Sequence, residues 1–130
     1  MAARPRVLVV EDDASLRRVL ELRLHLEGFD VSAAEDGQAA LDMLEDAHPQ
    51  IVICDLMMPR VNGFGFCHAA RSRPGFERIP IVLLTAHQCD AEIEDLLEIG
   101  DIVYMNKPFD APLLAGTLRE MLGVGAAQIG

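Results

Sequence analysis

The stretch Val7-Leu8-Val9-Val10-Glu11-Asp12-Asp13 decides the fold. Four apolar residues, mostly β-branched, read as a short strand buried on both faces. Three carboxylates follow at once, at the C-terminal end of that strand, where open α/β sheets place their ligand sites. Like charges so close repel by something on the order of a few kcal/mol per close pair at an effective dielectric of roughly 20, and a cation relieves that cost. The layout recurs where Ile51-Val52-Ile53-Cys54 runs into Asp55. Two buried strands that deliver carboxylates to one edge point to a hard, oxygen-ligated metal such as Mg2+.

The rest of the chain bounds what such a site serves. At 130 residues, 51% hydrophobic, it suits one domain with a full core and argues against disorder. No apolar run approaches the roughly 18 residues of a membrane span. The start, Met1-Ala2-Ala3-Arg4-Pro5-Arg6, has no apolar h-region, so no signal peptide is expected. The formal net charge of −10 argues against nucleic-acid or anionic-membrane binding by this domain itself. Cys54, Cys67 and Cys89 are odd in number and form no C-x-x-C, which suits a reducing cytoplasm and offers no zinc site.

Working outward, strand-like runs at 6–10, 29–33, 51–54, 80–84 and 102–105 alternate with helix-like runs at about 14–27, 37–47, 63–72, 89–99 and 110–122. Leu16, Val19, Leu20, Leu22, Leu24 and Leu26 predict a broad apolar face on the first helix. Leu113, Leu114, Leu118, Met121 and Leu122 are expected to face inward on the last. Gly28 and Gly100 are expected to follow helix ends, and Asp36 and Asp110 to open helices. Repeated βα units predict a parallel sheet with helices on both faces and right-handed crossovers. One domain is expected over 5–122, with 123–130, rich in Gly and Ala, as a flexible tail or the start of a linker.

The later strands also end in useful polar groups. The fourth leaves the Thr85 hydroxyl at the rim, and the fifth leaves the Lys107 ammonium. Carboxylates, a hydroxyl and an ammonium on one rim suit a metal together with a phosphoryl group. Asp55 is the candidate nucleophile, since carboxylates form aspartyl phosphates.

These residues carry a resemblance. Glu11-Asp12, then Asp55-Leu56-Met57-Met58-Pro59 with Asn62-Gly63, then Thr85-Ala86 and Lys107-Pro108-Phe109 stand in order at strand ends. Over residues 5–122 the chain resembles the receiver domain of two-component response regulators, much like chemotaxis receivers. The resemblance implies a flavodoxin-like, doubly wound, five-stranded parallel sheet in the order 2-1-3-4-5. It implies that Asp55 takes a phosphoryl group from a histidine kinase or a histidine phosphotransfer protein. Mg2+, with Mn2+ as a substitute, would be held by Asp12, Asp55 and the backbone carbonyl of Met57, with Glu11 contributing directly or through water. Thr85 and Lys107 would bind phosphoryl oxygens, and Lys107-Pro108 is often cis in this family. Tyr104 matches the switch aromatic, which follows Thr85 inward and alters the face made by the fourth helix, fifth strand and fifth helix. That face would meet a downstream protein target or a fused output domain. Such a domain is cytoplasmic, and is no enzyme beyond catalysing its own phosphorylation and dephosphorylation. Met57 and His87 match positions that flank the approach of hydrolytic water.

Other readings bear on single residues. Asp13 reads as a helix N-cap rather than a ligand. Cys54 should point to the opposite face from Asp55 and pack in the core. Gly63-Phe64-Gly65 lacks the third glycine of a dinucleotide fingerprint. A Mg2+-dependent phosphatase with an aspartyl nucleophile is the alternative function, but the second acid of its D-x-D is replaced by Met57. One departure concerns output: where winged-helix regulators resemble one another in an Asp-Asp before the switch aromatic, this chain has Ile102-Val103. Its fourth helix carries Glu92, Glu94, Asp95 and Glu98, so the salt-bridged dimer of that class is not expected.

Overall fold

The computed structural model describes residues 4–56, 63–86 and 90–123. Strands and helices alternate: β1 Arg6–Val10, α1 Ala14–Leu26, β2 Asp30–Ala34, α2 Gly37–Ala47, β3 Ile51–Cys54, α3 Gly63–Arg71, β4 Ile81–Thr85, α4 Ala91–Glu98, β5 Ile102–Asn106 and α5 Ala111–Leu122. The five strands form one sheet in the order β2-β1-β3-β4-β5, and every pairing is parallel. Of the expected tail 123–130, only Gly123 falls among the described residues.

The sheet divides the core in two, because successive strand side chains point to opposite faces. Leu8, Val10, Val52, Cys54, Ile81 and Leu83 face α2, α3 and α4, meeting Leu41, Leu44, Phe66, Ile93 and Leu96. Val7, Val9, Ile51, Ile53, Val82 and Leu84 face α1 and α5, meeting Leu20, Leu24, Leu114 and Leu118. Full burial of each such side chain stabilises by roughly 1.5–3 kcal/mol. Central strands covered on both faces therefore read as continuous apolar runs.

Two helix faces differ from expectation. On α1 only Leu20 and Leu24 are fully buried, with Leu16 packed beside them; Val19, Leu22 and Leu26 are 46%, 58% and 71% exposed. Spacing of four keeps 16, 20 and 24 on one stripe, while 19, 22 and 26 rotate to the outer arc. On α5 Leu113 is 62% exposed, one position and so about 100° of turn away from buried Leu114. The ends also shift. Asp90 caps α4 by accepting the Ile93 N–H at 3.0 Å, so that helix starts later than its apolar pattern. β2 begins at Asp30 because Phe29 is spent in the core. Gly28 and Gly100 take positive φ just past α1 and α4. Asp36 and Asp110 cap α2 and α5 as expected. Among the described residues no helix is long and apolar enough to cross a membrane.

Candidate functional site

The C-terminal ends of β1, β3, β4 and β5 converge. Past its last strand residue β1 continues its bonding, with the Glu11 N–H donating to the Ala34 carbonyl at 3.0 Å; past β3, the Asp55 N–H donates to the Val10 carbonyl at 3.1 Å. Backbone pairing therefore fixes where both acids leave the sheet. One carboxylate oxygen from each of Glu11, Asp12 and Asp55 lies within 4.8 Å of the others. Glu11 and Asp55 are buried, at 2% and 6% exposed, while Asp12 is exposed.

Lys107, two residues before its neighbour Phe109 and just past β5, reaches back into this group. Its Nζ donates to Glu11 Oε1 at 2.8 Å and to Asp55 Oδ2 at 2.9 Å. Burial alone lowers the ammonium's pKa, but the bonds to Glu11 and Asp55 and their charges outweigh it, and the net shift is upward. The Glu11 carboxyl is raised from its ordinary value, by burial above all, against the lowering effect of Lys107 and of the Asp13 N–H. That N–H donates to Glu11 Oε2 at 3.1 Å, so both Glu11 oxygens already accept a bond from the protein. The Lys107 N–H donates to the Thr85 carbonyl at 2.9 Å, which ties the last two strand ends together. Thr85 itself is fully buried. The Lys107–Pro108 peptide is cis. Beside Lys107, Leu16, Ala86, Pro108 and Phe109 complete the lining of an apolar hollow.

The structure thus brings Glu11, Asp12, Asp55 and Lys107 together, with Thr85 bonded through its main chain to Lys107. Met57 and His87 lie outside the described residues, as do Met58, Pro59, Asn62 and Cys89. Tyr104 is partly buried and packs on the core side shared with α4. Asp13 is an N-cap, its side chain accepting the Leu16 N–H at 3.0 Å. Cys54 packs in the core; the neighbouring Cys67 thiol, and then burial, push its pKa well up. Ile102 packs inside and Val103 is partly buried. Arg17 has no counterpart in the sequence reading. Its Nη1 donates to the Glu11 carbonyl at 2.9 Å, a bond to main chain that no pattern of side chains announces.

Three carboxylates with one left open to solvent form an all-oxygen donor set, which fits Mg2+ or Mn2+ better than softer metals. The ammonium beside Asp55 adds a donor for a bound anion.

Residues 7–119 match the family model for the response regulator receiver domain. A probable transcriptional regulator, ycf27, of Porphyridium aerugineum is 39% identical over 117 residues, which cover 90% of this chain and 48% of that protein. The DNA-binding response regulator MtrA of Mycobacterium leprae (strain TN) is 40% identical over 119 residues, covering 92% of this chain and 52% of the relative. This chain therefore spans about half the length of the curated relatives it matches. Among solved structures, the chemotaxis protein CheY4 of Vibrio cholerae superposes with a TM-score of 0.85 at 30% identity, over 92% of this chain and 99% of that one. With the sheet order, the rim of strand ends and these likenesses in hand, the chain belongs to the response regulator receiver family.

Proposed function

We propose that Asp55 is the phosphoacceptor of this receiver. The supporting observation is the Lys107 ammonium held between Glu11 and Asp55 at 2.8 and 2.9 Å. A cation at the acceptor carboxylate offsets the repulsion between that carboxylate and an incoming phosphoryl dianion. A carboxylate oxygen of Asp55 attacks phosphorus, the bond from phosphorus to the donor's imidazole nitrogen breaks, and the imidazole leaves with the electron pair. Asp12, Asp55 and the Met57 carbonyl, with Glu11 directly or through water, would hold Mg2+ or Mn2+, which when bound would supply further positive charge to offset the negative charge of the phosphoryl oxygens. Lys107 then pairs with a phosphoryl oxygen, and the Thr85 hydroxyl donates to another. Tyr104 follows Thr85 inward, which alters the surface of α4, β5 and α5. The chain turns over only its own phosphoryl group.

The donor is a histidine kinase or a histidine phosphotransfer protein in the cytoplasm. The receiver of the changed surface is a separate protein or an output domain of the same chain. The acidic balance of −10 argues against direct nucleic-acid contact by this domain.

Mass spectrometry after incubation with acetyl phosphate and Mg2+ should show a single added phosphoryl, labile to hydroxylamine, that is absent from Asp55→Asn. An Asp55→Asn protein that gains an equally labile phosphoryl would remove Asp55 from this role.

A further inference from the structure

The start of α3 lies against the main chain of the acceptor residue. The Gly63 N–H donates to the Leu56 carbonyl at 3.1 Å, and Gly63 is buried. A Cβ at Gly63 would stand 2.4 Å from the Asp55 carbonyl oxygen, 2.5 Å from Leu56 Cα and 3.0 Å from the Asp55 carbonyl carbon. The nearest of these is about 1 Å inside ordinary contact distance. All three are main-chain atoms, so no rotamer change relieves the clash; either α3 or the Asp55–Leu56 backbone must move. Cys67, one turn further along α3, is buried in the same core as Cys54 and Leu56. The Cys54 thiol in turn donates to the Asp55 carbonyl at 3.3 Å. Asp55 is therefore held from its N–H by Val10, from its carbonyl by Cys54, and from below by a helix that touches it with no side chain between.

We propose that Gly63 is a positioning residue for phosphoryl acceptance: its missing Cβ lets α3 begin against the Asp55 main chain, and this sets where the Asp55 carboxylate meets Lys107 and the metal. The inference rests on Asp55 being the acceptor. Gly116 provides the contrast, because it too is helical, in α5, but a Cβ there meets nothing within 4 Å.

The test compares wild type, Gly63→Ala and Gly116→Ala. Folded fraction comes from circular dichroism, phosphorylation rate from acetyl phosphate at varied Mg2+, and site geometry from amide NMR shifts. Gly116→Ala should match wild type throughout. Gly63→Ala should stay folded while its rate falls roughly tenfold to a hundredfold, the scale expected of a displaced reacting group. Its Mg2+ midpoint should rise. Amide shifts should cluster at Asp55 and Lys107 and spare α1 and α5. A folded Gly63→Ala with wild-type rate and Mg2+ midpoint overturns the proposal. So does a rate lowered only in proportion to lost folded protein, or a variant with no folded state even in the cold, since Gly63 then serves the fold alone. If wild type itself takes no phosphoryl, the reading of Asp55 fails instead, and the Asp55 amide shift in Gly63→Ala still decides whether its main chain moves.

Discussion

Lys107 occupies the position between two acids that come from distant parts of the chain, Glu11 and Asp55. Replacing it with Ala leaves a mostly buried carboxylate pair without its cation. Breaking a fully buried pair costs about 3–5 kcal/mol, and the partial exposure of this one brings the expected loss to roughly 1–3 kcal/mol. Mg2+ should recover part of it, so the urea midpoint of Lys107→Ala should rise more with Mg2+ than that of wild type. An equal rise would show that the ammonium and the metal do not share the same charges. Phosphorylated Lys107→Ala should also show smaller NMR shifts at Tyr104 than phosphorylated wild type. The exposed Asp12 has another part. Asp12→Ala should lose the rise in thermal midpoint that Mg2+ gives wild type, and an unchanged rise would place the metal elsewhere. At this scale the meeting of Glu11, Asp12, Asp55 and Lys107 was legible, because carboxylates and a lysine follow apolar runs that end on one rim; of Thr85 the structure gives burial and a main-chain bond to Lys107. Arg17 was illegible because it bonds a main-chain carbonyl, and any long donor on that turn would look the same in sequence.

At the scale of elements, strands were read more closely than helices. A strand covered on both faces admits only apolar residues, so β1, β3 and β4 mark themselves. A helix against a sheet needs only a stripe, and extra leucines on its outer arc blur it, as they do on α1 and α5. The difference is measurable. Leu114→Ala should cost about 2–5 kcal/mol as a buried truncation, and Leu113→Ala less than about 0.5 kcal/mol, by urea denaturation. Equal costs would mean that α5 is rotated from the orientation described. Caps were legible because Asp before a helical pattern has a defined task. The Asp36 side chain accepts the Ala39 N–H at 2.8 Å and is buried. Asp36→Ala should therefore cost about 1–2 kcal/mol, toward the upper end for a lost cap. The α4 start was misplaced because apolar periodicity runs past the capping Asp90, and only the cap geometry stops it.

For the whole molecule, alternation of strands and helices predicted a parallel sheet, but not which strands are neighbours. Pairing is decided by contacts far apart in sequence, and the order 2-1-3-4-5 came from resemblance before the structure displayed it. The two-sided core explains why that order holds, since β1, β3 and β4 lie inside the sheet and carry the most continuous apolar runs. The acceptor rim draws on β1, β3, β4 and β5 at once, and the backbone bonds between neighbouring strand ends set its geometry. Glu11, Asp55 and Lys107, far apart in sequence, meet only when these strands pair, and among the described residues the helices add to the rim only Arg17, which bonds the Glu11 main chain. The ability to accept a phosphoryl group should therefore behave as a reporter of cooperativity. In a urea series, loss of acetyl-phosphate labelling and loss of the circular dichroism signal should fall on one curve, as for a two-state domain. Labelling that vanished well before the helices melted would mean that the rim loosens independently of the sheet. With one coincident curve, a signal-competent receiver and a folded receiver are the same population, and any change that lowers stability lowers the supply of signal in the same proportion.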